Sequence, residues 1–304
     1  MWFKNILVFE LTQAFTLSET HLETALEAHR FHGCSPQEQQ KTGFTPALGK
    51  QGTTLVHAWQ DGFLVNLTQE DKLIPSAVIQ ETFTEKKEQL EDKLQRPLRK
   101  QDKQALKEEI LFDLLPRAFS KYTHTQAMIL PQQQKIIVHT ASRTKAETVL
   151  AYIRKSLGSL PVVPLHFIPN ISSELTAWLQ QGRAPQPFEL LHEAELKEHL
   201  DDGAVLRLKQ QDLTSPEVLT HLENGKVVEK IALRYQDSLQ LVIQADGAMK
   251  RLKYETELLN QHDDLQDDPL AKLTADLQLM SQQLIALLAT FTVCFGESDS
   301  QAAA

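Results

Sequence analysis

The sequence predicts an α+β protein with helices on one face of largely antiparallel sheets. Two observations carry this expectation. Strand-rich stretches near 3–68 and 126–165 each hold a short turn and one amphipathic helix. Between them, Ser76 to Leu115 is almost continuous helix former. The chain, at 304 residues, is long enough for two or three domains.

Phe3 to Leu11 is rich in β-formers, and Ser18 to His29 has a capping residue, early acids and apolar residues at helical spacing. A loop is expected through Gly33, Pro36, Gly43, Pro46, Gly49 and Gly52. Thr54–Trp59 and Phe63–Thr68 flank Gln60-Asp61-Gly62, whose Asp-Gly favours a hairpin. Helices are expected over Ala77–Gln95 and Asp102–Leu114. Pro97 separates them, because proline lacks the N–H and fixes φ, and they would form a projecting hairpin.

Ala127–Leu130 and Lys135–His139 flank a Pro-Gln-Gln-Gln turn. Ser142 caps a helix over Arg143–Ser156 that Gly158 and Pro161 stop, and Val162–Leu165 reads as a strand. Beyond Phe167, the pattern gives a helix at Ser172–Gln180, a strand at Phe188–Leu190, a helix at Glu193–His199 and a strand at Ala204–Lys209. Ser215-Pro216-Glu217 starts another helix. Three strands follow at Lys226–Tyr235, Leu239–Gln244 and Met249–Tyr254, with Asp246-Gly247 as a turn. Leu273, Leu277, Met280, Leu284 and Leu287 recur at helical spacing and predict a packed amphipathic helix. The domains so read are 1–75 with 116–166, a helical arm at 76–115, and 167–304.

The net charge is -9, yet Leu114 to Lys155 carries seven bases (Arg117, Lys121, Lys135, Arg143, Lys145, Arg154, Lys155) against Glu147 alone. Bases that converge on one surface can attract a polyanion even in an acidic protein; an ordinary solvated face has the same composition. Around Arg96, Arg99, Lys100 and Lys103 the expected helical tip is also basic, although lacing by i,i+4 ion pairs accounts for much of that arm. From Glu257 to Asp299 the balance reverses, with eight acids against Lys272.

Catalytic and cofactor signals are missing. Gly49-Lys50-Gln51 does not make a phosphate loop, since Gln51 brings no hydroxyl for magnesium. His29 and His32 have no third ligand nearby, and Asp263, Asp264, Asp267 and Asp268 lack calcium-loop spacing, reading instead as a solvated acidic linker. No nucleophile elbow surrounds any serine. We expect no cofactor, no metal and no enzymatic activity. Cys34 and Cys294, far apart, suggest free thiols in a reducing compartment. Glu10 interrupts the short apolar run at the start, which reads as a strand rather than a signal peptide. Leu284 to Phe295 is too short for a span, so a cytoplasmic protein without membrane contact is expected.

Several strings, in order through nearly the whole chain, resemble the bacterial recombination-associated RdgC family. They are Trp2-Phe3-Lys4-Asn5, Lys72 to Ile79, Leu114 to Ser120, Arg154 to Leu165, Glu193-Ala194-Glu195-Leu196-Lys197, Gln211 to Ser215, Gly225-Lys226-Val227-Val228 and Lys250-Arg251-Leu252-Lys253. The resemblance implies a non-enzymatic nucleoid protein. It implies a ring-shaped homodimer around double-stranded DNA, binding with little sequence preference and restraining the RecA recombinase. The ring would close through the helical arms and through the C-terminal domains, the latter making 167–304 a dimerisation domain. Arg117 and Lys121 become the leading DNA-facing residues, followed by Arg96, Arg99, Lys209, Lys226, Arg251 and Lys253. Phe119, otherwise readable as a core residue, becomes the gate of one dimer contact. Gln210 and Ser238 stand where relatives often carry a base, removing two phosphate contacts. The rival expectation is a protein-interaction module that binds a recombination protein directly through the acidic C-terminal surface and the arm.

Overall fold

The computed structural model describes residues 2–167, 170–198, 203–262, 265 and 268–296. In chain order the elements are β1 (Leu7–Leu11), α1 (Glu19–Glu27), β2 (Gln40–Thr45), β3 (Val56–Trp59), β4 (Gly62–Leu73), α2 (Ser76–Leu94), α3 (Lys100–Leu114), β5 (Phe119–Leu130), β6 (Lys135–Val138), α4 (Arg143–Leu157) and β7 (Val162–Pro164). They continue with α5 (Ile171–Gln180), β8 (Phe188–Glu198), β9 (Val205–Lys209), α6 (Pro216–Glu223), β10 (Lys226–Tyr235), β11 (Leu239–Gln244), β12 (Met249–Tyr254), α7 (Thr256–Leu259) and α8 (Pro269–Phe295). The mixed α+β class is as expected. One sheet runs β2-β4-β5-β6-β1-β7 with β3 paired to β4, and the other runs β12-β11-β10-β8-β9.

Packing divides the chain into two units. The larger comprises Met1–Leu26, Pro46–Asn66 and Thr125–Ala304. Its core is built on α8, where Leu277, Met280, Leu284, Leu287, Leu288, Phe291 and Phe295 form one buried stripe. Against it lie alternate residues of the second sheet, including Phe188, Leu196, Ile231, Leu233, Leu241 and Leu252, with Trp178 of α5 stacked on Phe295 at 5.1 Å. This helix, long and apolar enough to cross a membrane by length and composition, is the core helix of this unit. The N-terminal segment is tied to it, since the Phe3 N–H points at Met280 Sδ at 3.0 Å.

The smaller unit comprises Glu27–Thr45 and Leu67–His124. Here α2 and α3 pack on each other through Phe83, Leu98, Leu106 and Ile110. Asp102 accepts from the Arg99 N–H and fixes the start of α3.

Most expected elements are present, including the three strands of the second sheet with their expected limits. Four readings need correction. Glu193–His199 is not a helix: Glu193 to Glu198 continues β8, and His199 lies outside the described residues. Glu, Ala, Leu and Lys favour helix locally, but β9 and β10 flank this strand and bury Ala194 and Leu196, so tertiary pairing overrides propensity. The glycine-rich loop contains β2. Here Gly43 is needed because a Cβ would come within 2.7 Å of the Phe31 backbone. The strands β4 and β5 run longer than their most apolar parts. Finally, Asp268 caps α8, accepting from the Leu270 and Ala271 N–H groups, and Pro269 opens the helix. Asp263, Asp264 and Asp267 lie outside the described residues.

Candidate nucleic-acid interface

In the second sheet, alternation along each strand sends one set of side chains into the α8 core and the other to the opposite face. That opposite face carries Glu193 and Glu195 on β8, Arg207 and Lys209 on β9, and Lys230 and Ala232 on β10. Gln240 and Val242 follow on β11, and Lys250, Arg251 and Lys253 on β12. Two adjoining recesses of about 580 and 450 Å³ share Glu193, Lys209, Val242 and Arg251, making one trough. Six cations line it against two carboxylates, and no Phe, Tyr or Trp is among its lining residues.

The basic run on β12 reaches the trough because the strand is bulged. Register slips by one residue between the Gln240–Lys253 and Val242–Lys250 pairs, and Arg251 takes a left-handed φ of 54°. A bulge breaks strict alternation and re-aims side chains, so Lys250, Arg251 and Lys253 all border the trough. The N-terminal segment holds this irregular backbone. Asn5 Oδ1 accepts from the Arg251 N–H at 3.1 Å, and the Lys4 carbonyl accepts from the Leu252 N–H at 2.8 Å. Trp2 packs on Tyr254, ring centroids 4.6 Å apart. Two of the strings singled out in the sequence, Trp2 to Asn5 and Lys250 to Lys253, are thus partners in space.

The carboxylates are engaged. Arg251 donates to Glu193 at 2.6 Å, while Glu195 accepts from Arg207 at 2.9 Å and Lys230 at 2.7 Å. Burial pushes Glu195 up, but the hydrogen bonds from Lys230 and Arg207 outweigh it and hold the carboxyl below its ordinary value. Among the described residues Lys209, Lys250 and Lys253 have no carboxylate within ion-pair distance.

Of the residues proposed from sequence, Lys209, Arg251 and Lys253 come together here. Lys226 does not line the trough; its side chain is only 13% exposed and donates to Glu198 at 2.7 Å. Arg207, Lys230 and Lys250 were missed, although alternation in Val205 to Lys209 pairs Arg207 with Lys209 on one face. Gln210 lines the trough. Ser238 lies between β10 and β11, its hydroxyl donating to Gln283 at 3.2 Å.

In the smaller unit, Arg117 lies in a 3-10 turn and Lys121 on β5, both exposed. Arg96 donates to Asp102 at 2.9 Å, and Arg99 occupies the N-cap of α3. Phe119 is 84% exposed, so within this subunit it is no core residue. Phe112 and Tyr122 are exposed as well. The next residue, Ser120, donates to Glu70, a carboxylate only 3% exposed that also accepts from the Cys34 N–H at 2.7 Å. The Ser120 hydrogen bond is the main influence holding Glu70 below its ordinary value, opposed by burial. Both cysteines are free thiols, raised by burial.

The basic run from Leu114 to Lys155 belongs to both units. Lys135 is paired with Glu10 at 3.2 Å, Arg143 with Asp246 at 3.4 Å, and Arg154 donates to the Leu160 carbonyl. Among the described residues no three His, Cys, Asp or Glu side chains form a group able to hold a metal ion.

Fold and face together define an acidic α+β protein that gathers cations on one face of a sheet. A family model described as "Putative exonuclease, RdgC" matches residues 1–298. The chain is 47% identical over 297 residues to the recombination-associated protein RdgC of Shewanella oneidensis, covering 97% of this chain and 98% of that one. It is 46% identical, with the same coverage, to the proteins of that name from Shewanella putrefaciens and Shewanella baltica. The chain therefore belongs to the RdgC family and is related along its length to recombination-associated proteins.

Proposed function

We propose that this chain binds double-stranded DNA with little sequence preference, as a homodimer closed around the duplex, and thereby restrains RecA-mediated recombination in the nucleoid. The observation that carries the reading is the trough of six cations in a chain of net charge -9. Lysine and arginine read uniform phosphate charge without base contacts. Aromatic platforms, the usual means of holding unstacked bases, do not line the trough, which favours duplex over single strand. In this reading Arg117 and Lys121 supply a second set of phosphate contacts, residues 76–115 form a projecting arm, and 167–304 includes the other dimer contact. The exposed Phe119 supports a gate at the arm, where an aromatic leaving water anchors one of the two contacts.

Fluorescence anisotropy on unrelated duplexes across a salt series tests binding, and sedimentation tests the dimer. Affinity should be similar across sequences and fall steeply with salt. No binding at low salt, or a strong preference for one sequence, would reject the reading. Incubation with magnesium and end-labelled duplex should leave the label at full length; progressive shortening would make the chain a nuclease instead. The second reading, a module that contacts a recombination protein directly, is favoured by exposed Phe112, Phe119 and Tyr122. Tight binding to purified recombinase without DNA, alongside negligible duplex binding, would establish it.

A further inference from the structure

We infer that Glu193 and Glu195 are resident competitors for the cations of the trough and hold its affinity for phosphate below what those cations could deliver. The inference rests on the trough being a DNA contact. Both glutamates project from β8, the strand between β9 and β10. Their cross-strand partners are basic: Glu193 lies opposite Lys209, and Glu195 opposite Arg207 on β9 and Lys230 on β10. Arg251 reaches Glu193 at 2.6 Å across β11 and β10, where the trough also holds the short side chains of Ala232 and Val242.

The trough is thus a stripe of carboxylates between two banks of cations. Arg207, Lys230 and Arg251 are occupied by carboxylate oxygens, the groups a phosphate oxygen most resembles as an acceptor. A DNA phosphate that takes the Arg251 Nη2 must displace Glu193, and one that takes the remaining N–H groups has the carboxylate beside it as a like charge. The geometry sets a low ceiling on affinity while keeping the guanidinium ordered. Such a protein exchanges readily along a duplex, because part of each contact is refilled from within when DNA leaves.

Glu193 is the site to test, since its side chain is 34% exposed and Glu195 is more enclosed. Duplex affinity at several sodium chloride concentrations would be measured for wild type, Glu193→Gln, Glu193→Gln with Arg251→Ala, and Lys209→Glu with Lys253→Glu. We expect Glu193→Gln to bind about three- to tenfold more tightly, with the salt slope steeper by about 0.9 as one further phosphate contact forms. Adding Arg251→Ala should abolish the gain. The Lys209→Glu, Lys253→Glu protein should bind weakly. If that last protein bound like wild type, the trough would not be the DNA contact and the competitor inference would fall, while duplex binding itself would stand on other residues. If it bound weakly while Glu193→Gln bound no better than wild type, the DNA reading would stand and the competitor inference would be overturned, the carboxylates then serving to orient their cations. A gain that survived Arg251→Ala would overturn it too. Melting temperatures of each variant identify any that fail to fold. Should Glu193→Gln fail to fold, Glu193→Ala is the second variant: it removes the same carboxylate and should show the same gain, and wild-type affinity in it would overturn the inference.

Discussion

Phe119 leaves 84% of its surface in water, so its removal takes almost nothing from the packing of its own subunit. Phe119→Ala should change unfolding free energy by less than about 0.5 kcal/mol while reducing retention on covalently closed circular duplex; denaturant unfolding and a circular-DNA retention assay check the two halves. His139 behaves oppositely, as a buried residue whose charge state matters. Its ring stacks on Phe3 at 4.4 Å, and its Nε2 accepts from the Lys4 N–H, so the nitrogen is unprotonated in the fold. Burial, then the Lys4 charge, holds it below its ordinary value of 6.5. Above that value the folded and unfolded chains both carry the neutral ring and its stabilisation is complete. As pH falls below it, the unfolded chain takes up the proton first, and stability is lost until the folded value is reached. His139→Gln should therefore flatten the fall in melting temperature as pH drops below the ordinary histidine value, as differential scanning fluorimetry would show. At this scale the sequence was unevenly legible. The pairing of Lys209, Arg251 and Lys253 came from family strings rather than from any local rule. Glu70 was missed, although period-two alternation from Leu64 through Asn66 and Thr68 places it on a buried face.

At the scale of elements, β12 shows how irregular backbone serves a surface. Without its bulge, Lys250 and Arg251 would point to opposite faces. Asn5→Ala deprives the Arg251 N–H of its acceptor, and we expect duplex affinity to fall about as much as in Arg251→Ala, with a stability cost of about 1 kcal/mol. Anisotropy and urea unfolding measure both, and full affinity in Asn5→Ala would show that the bulge holds itself. Within α8, Phe291→Ala should cost about 3–5 kcal/mol, because Phe291 is enclosed by other rings. Val293→Ser, at a position 85% exposed, should cost under about 0.5 kcal/mol in the same urea experiment. Elements whose periodicity and caps agree, such as α4 with Ser142 before it and Gly158 after it, were readable in advance. The strand β8 was not, because its composition points to helix and only its neighbours make it a strand. The Asp268-Pro269 start of α8 was legible but had been absorbed into an acidic run.

For the whole molecule, charge bookkeeping along the sequence picked out Leu114 to Lys155 but not the trough. In the most basic run Lys135 and Arg143 are held by local ion pairs, whereas the trough collects its six cations from three strands, β9, β10 and β12. Only strand pairing brings these together, and pairing is not written in any one window. With three cations already held by carboxylates, the trough should give a slope of log affinity against log salt near about -3 per protomer. A slope near zero from a salt titration would show that its cations do not touch phosphate.

The same long-range pairing has a consequence for synthesis. The Phe3 N–H meets Met280, a contact spanning 277 residues, and nearly every apolar side chain of the second sheet waits for α8. At roughly 5–20 residues per second, the ribosome delivers the second partner about 14–55 s after the first. During that interval the nascent chain carries the inner faces of its strands uncovered. The larger unit therefore closes only once α8 has been made, and the emerging polypeptide is a natural client for holding chaperones until that helix arrives.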